Sequence, residues 1–225
     1  MMNVAGLQQR TGRYEFADGI RELQFAFWVL VTGFYGWVIW DMPDLWQPFA
    51  EWLRAQNAVV IIMLTFVLPI GIPLLISHLG MRWANEKLRR RWLWRTTGFI
   101  KAKPWLVPRR TLFASLTIMF AVFIAGILLA IQLRDASLII RGIYVGTGFE
   151  FAYMWFAVAN RFNLPRYRIV AMVGLASTLI LALLPIRVGL FGLILSGFWG
   201  GLLVVSGLYA MRQTALEQKA TADAS

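Results

Sequence analysis

Six stretches of the chain are almost continuously apolar, at roughly 23–40, 58–79, 111–132, 139–159, 167–186 and 188–211, and the charged positions collect between them. Each stretch approaches or exceeds the ~20 apolar helical residues needed to cross the ~30 Å hydrocarbon core of a bilayer. Apolar and polar positions do not alternate within them, which excludes the period-two pattern of a membrane β-barrel. Backbone groups in lipid must bond within their own segment, so runs of this kind are helices. The pattern predicts an all-α fold: a polytopic membrane protein with a bundle of six transmembrane helices. It divides the chain into an N-terminal segment (1–22), a first pair of spans (23–79), a connecting loop (80–110), four further spans (111–211) and a polar tail (212–225).

The flanks carry independent information. Arg10, Arg13 and Arg21 precede the first block, while Asp41, Asp44 and Glu51 against Arg54 follow it. The 80–110 loop holds Arg82, Lys87, Arg89, Arg90, Arg91, Arg95, Lys101, Lys103, Arg109 and Arg110 against Glu86 alone. Arg161, Arg166 and Arg168 lie between the fourth and fifth blocks, and Arg212 and Lys219 follow the sixth. Basic residues therefore recur at every second connection. Under the positive-inside rule both termini, the 80–110 loop and the 160–168 turn are expected in the cytoplasm, and the expected location is a bacterial plasma (inner) membrane. Trp37, Trp40, Trp46 and Trp52 gather between the first two blocks, where interfacial aromatics belong. "LPIRVG" (184–189) predicts a tight hairpin on the same side. No convincing internal repeat is visible.

Composition agrees with lipid as the solvent: 59% of residues are hydrophobic and 15% charged, against about 45–50% and 25% in soluble domains. The net charge of +11 would suit nucleic acid or an anionic membrane. In the 80–110 loop the cations interleave with Trp83, Trp92, Trp94 and Trp105, a combination that both partners can use. Because the loop is tethered at both ends to membrane helices, the expected partner is the anionic headgroups of the bilayer and not nucleic acid. Residues 82–95 are expected to form a short interfacial helix, and 13–24 a second one.

Three features could carry chemistry. On a helical wheel Gly142, Gly146, Glu150, Tyr153, Ala157 and Asn160 fall within about 80° of one another. Gly142 and Gly146 form a GxxxG pair, which admits a close neighbour, so Glu150 is expected inside the bundle with Tyr153 and Asn160. Arg141 is about 13.5 Å away along the same helix and cannot reach it. Partners would come from Tyr35, Thr65, Ser115, Thr117, Ser177, Thr178 or Ser196. Glu150 is then either a proton or cation site or a hydrogen-bonded packing lock. The sixth block carries a second small face, Gly189, Gly192, Ser196, Gly200 and Gly207, expected to pack against Gly142 and Gly146. In the second block, "LPIGIP" places Pro69, Gly71 and Pro73 where a kink or break is expected.

Exclusions narrow the function. With no cysteine and a single histidine, His78, thiolate chemistry, disulfides, bis-histidine haem and a zinc site needing two histidines within the chain are ruled out. There is no P-loop and no HExxH. Only one acidic residue falls within a predicted span, so no intramembrane acidic dyad forms. No catalytic residues, metal ligands or cofactor are expected. The sequence predicts a non-enzymatic accessory or permease-like subunit of a membrane transport system, with other membrane subunits as partners. The alternatives are an autonomous small transporter using Glu150 and, less well supported, a lipid-modifying membrane enzyme.

Overall fold

The computed structural model describes residues 16, 18–57, 60, 87 and 109–223. Among them every regular element is helical: α1 (Ile20–Asp41), α2 (Pro43–Arg54), α3 (Arg109–Leu133), α4 (Ser137–Phe162), α5 (Pro165–Ala182) and α6 (Val188–Asp223). Among the described residues four helices are long and apolar enough to cross a membrane: α1, α3 from Arg110, α5, and α6 as far as Glu217. The protein is thus an integral membrane protein by the length and composition of its helices. The 26-residue α4 coincides with the fourth apolar block but is not among those four, because glycine, threonine, tyrosine and Glu150 dilute its apolar residues. The second expected span lies outside the described residues apart from Val60, and so do Pro69, Gly71 and Pro73. The same holds for Arg82, Arg89, Arg90, Arg91 and Arg95; Lys87 is described and exposed.

Local chemistry sets the helix boundaries. Asp18 accepts the amide of Ile20 at 3.2 Å, and Gly19 takes the left-handed conformation (φ 79°) that opens α1. α1 ends at Asp41, and a single residue, Met42, separates it from Pro43, which starts α2 with the φ that a first helical position needs. Residues 41–57 read as a connection in the sequence, yet twelve of them form this helix, with Pro48 inside it. Arg134 and Asn163, both left-handed, close α3 and α4. Pro165 then starts α5.

α1 runs antiparallel to α6 along its whole length, and this is the most extensive helix contact; α3 packs on α4, and α4 on α5. Apolar surface gains little from leaving lipid for protein, so close van der Waals contact and polar bonds must hold such helices together. Glycine permits it. A β-carbon on Gly19 would overlap the backbone of Gly207, one on Gly33 would overlap the side chain of Ser196, and one on Gly200 would lie 2.6 Å from Leu30. The interior is filled by Trp155, Tyr167, Phe191, Trp199 and Leu203. Trp199 rests on Gly174, and its indole donates to the Thr178 hydroxyl at 3.2 Å.

Candidate functional site

The densest polar cluster lies where the start of α1 meets the start of α5. Glu22 and Asp18 are wholly buried, each with 0% exposure. Arg166, in the first turn of α5, donates from Nη2 to Glu22 Oε1 at 2.8 Å, forming an ion pair. The same nitrogen donates to the Phe16 carbonyl and to the Tyr167 hydroxyl. The Tyr167 hydroxyl donates to that carbonyl at 3.0 Å. The guanidinium carbon stands 4.8 Å from the centre of the Tyr167 ring, and that ring stacks on Trp155 at 4.9 Å. Phe16 in turn stacks on Phe162 at 5.2 Å. One cation thus ties together the segment before α1, the first turn of α1 and the first turn of α5, within a wall of aromatic rings. The second carboxylate oxygen of Glu22 accepts no hydrogen bond among the described residues. A buried charge depends heavily on its partner in such a setting.

The opposite end of α1 carries a second polar junction. The Asp41 carboxylate accepts the amides of Gly189 and Leu190 at 3.2 and 2.7 Å. An acidic side chain from one helix therefore caps the first turn of another, where free amides and the helix dipole favour negative charge. Nearby, Arg141 donates to the carbonyls of Leu184 and Ile186, which closes the carbonyl end of the α5–α6 hairpin.

Glu150 occupies a different setting. It is half-buried on α4, as is Tyr153, while Asn160 is exposed. No hydrogen bond or ion pair joins these three, and none reaches Glu150 among the described residues. Of the hydroxyls expected as partners, those of Ser115, Thr117, Ser177 and Thr178 donate to carbonyls of their own helices. Thr65 lies outside the described residues. On α4 the buried residues include Gly148, Ala152, Trp155, Ala159 and Phe162 as well as Gly142 and Gly146.

The two small faces pair differently from the expectation. A β-carbon on Gly142 would lie 3.1 Å from Gly126 of α3, and one on Gly146 would lie 2.9 Å from the Met119 carbonyl. Gly142 and Gly146 therefore meet α3 and not α6. On α6, Ser196 and Gly207 meet Gly33 and Gly19; Gly200 meets Leu30, and Gly189 meets Asp41. Gly192 faces the Tyr144 ring of α4. The physical reason is that α1 and the residue that opens it offer glycines of their own, Gly33 and Gly19, at the right height.

In the N-terminal segment Phe16, Asp18 and Glu22 are buried in the bundle. The Glu22–Arg166 pair was not anticipated. A usable signal existed: an acid opening one apolar run and a cation opening another, on the same expected side of the membrane. Among the described residues no group of three His, Asp or Glu side chains is placed to hold a metal ion. Comparison with known proteins finds no matching family model, no matching curated protein and no matching solved structure.

Proposed function

We propose that this is a six-span protein of a bacterial plasma membrane, with both termini cytoplasmic, serving as a non-enzymatic accessory or permease-like subunit of a larger membrane transport system. The observation that carries the reading is the use made of the charges within the bundle. Glu22 and Arg166 join two helix starts, Asp41 caps a third helix, and Arg141 closes a carbonyl end. Charges committed to joining helices suit a rigid packing unit better than a reaction centre. The alternation of basic connections supports the span count and the orientation.

The tagged full-length protein, purified from native membranes in mild detergent, is expected to bring a second membrane protein in fixed stoichiometry. Recovery of the chain alone, active in transport after reconstitution, overturns the reading. For orientation, single cysteines at Ala50, Ala102 and Ala220 are expected to react with an impermeant thiol reagent in intact cells only at Ala50. The chain has no cysteine of its own, so each label is unique.

A second reading, a small transporter using Glu150 as a proton or cation site, is favoured by one observation. Glu22 and Asp41 have partners across helices, whereas Glu150 has none among the described residues. Glu150→Gln keeps the shape of the side chain and cannot ionise. In proteoliposomes it separates the readings: loss of pH-gradient-dependent uptake with unchanged thermal stability supports the transporter, and unchanged uptake removes it.

A further inference from the structure

We infer that α2 (Pro43–Arg54) is an interfacial helix that lies on the bilayer with Leu45, Phe49 and Trp52 dipped towards the acyl chains. These three residues, spaced four and three apart, share one helix face and are exposed, Leu45 at 71%. Phe49 stacks on Trp52 at 5.7 Å. Asp44, Gln47 and Glu51 occupy the other face, with Gln47 donating to Glu51 at 3.2 Å. The division into one apolar and one polar face is that of a helix lying in the membrane plane.

The position of α2 selects the bilayer as its occupant. The 22 residues of α1 rise about 33 Å, close to the ~30 Å of the hydrocarbon core, and only Met42 separates the two helices. Asp41 is bonded to the amides of Gly189 and Leu190, which holds the junction at a fixed height. α2 cannot sink with Asp44 and Glu51, nor drift away while Asp41 is held. Its carboxylates provide no attraction to anionic headgroups, so ordinary zwitterionic lipid suffices.

The inference rests on α1 being a span, and the test separates the two. Single cysteines at Leu45, Gln47, Phe49 and Glu51, and at Phe34 (56% exposed on α1), each carry a nitroxide in full-length protein reconstituted in phosphatidylcholine vesicles. Oxygen is expected to outcompete a water-soluble nickel chelate at Leu45 and Phe49, with the order reversed at Gln47 and Glu51. A chelate preference at Leu45 and Phe49 overturns the inference. So does shielding from both reagents there, which would mean that protein covers this face; spin–spin broadening that disappears on dilution with unlabelled chain would identify a second copy. If the Phe34 label is not oxygen-accessible, the span reading of α1 fails, and the α2 labels are then judged without it.

Discussion

Two helix pairs in this molecule solve the same problem by different means. α1 and α6 come from opposite ends of the chain; α3 and α4 are neighbours joined by a three-residue turn. Both pairs bring backbones together through glycine. In α1–α6, however, the glycines meet side chains at Ser196 and Leu30 as well as backbone at Gly207, and the far end is fastened by Asp41. In α3–α4 the glycines meet backbone, at Gly142 and at the carbonyls of Leu138 and Met119. Among the described residues no side-chain hydrogen bond or ion pair joins α3 to α4. A pair closed by a short turn needs little more than shape, since loop closure has already been supplied. A pair closed across most of the chain needs specific fastenings to offset a larger loss of chain entropy.

The strongest break is at the polar end of α1, where Glu22 ties the helix to α5 as well. Arg166→Met leaves the fully buried Glu22 without its counter-charge, and a loss of about 3–5 kcal/mol is expected. It should be seen as a drop in the thermal midpoint in detergent. Adding Glu22→Gln, which removes the orphaned charge, should recover most of it; a single Arg166→Met variant that melts like the parent contradicts the clamp.

Glycine substitutions sharpen the difference between the pairs. Gly33→Ala drives a methyl into the Ser196 side chain, with an expected loss of ~1–3 kcal/mol, and Ser196→Gly in the same chain should restore stability. Gly146→Ala meets the Met119 carbonyl at 2.9 Å, which no side-chain change can remove. Met119→Ala is therefore expected to leave the defect in place. Rescue by Met119→Ala would place the contact on side chains and erase the distinction.

Smaller effects come from the ends. Asp41→Ala strips two amides of α6 of their acceptor, and a loss of about 1 kcal/mol is expected, as for other helix caps. The least effect belongs to the α3–α4 turn. There the Ser137 hydroxyl and amide hold the exposed Asp135 carboxyl below its usual range. A lowered value in the fold means the contribution is present above the unfolded pKa of about 3.9 and is lost as pH falls through the lowered value. Ser137→Ala should therefore change the pH dependence of the melting midpoint only at the acid end, below about pH 4.

How far the sequence speaks depends on whether the deciding contact is local. The small face of α6 is readable because Gly189, Gly192, Ser196, Gly200 and Gly207 repeat at helical spacing. Its partner is obscured, since Gly33 sits beside Phe34, Tyr35 and Trp37 in a run that reads as uniformly apolar. α4 carries two small faces, both buried, and a wheel alone cannot say which neighbour each meets: Gly142 and Gly146 meet α3, and Gly148 meets Thr178 of α5. α2 was hidden by Pro43 and Pro48, although Leu45, Phe49 and Trp52 already showed the period. The Glu22–Arg166 pair spans 144 residues, and no local pattern specifies such a partner.

The cap that Asp41 provides also bears on how the protein is made. Asp41 and Leu190 are 149 residues apart. At ~5–20 residues per second of synthesis, α1 waits on the order of ten seconds before α6 exists. For most of that interval Glu22 has no Arg166, and until α6 arrives the glycines of α1 have no seam to close. α3 and α4 can meet almost as soon as they leave the ribosome, so assembly is expected to begin in the middle of the chain and finish when its last helix docks on its first.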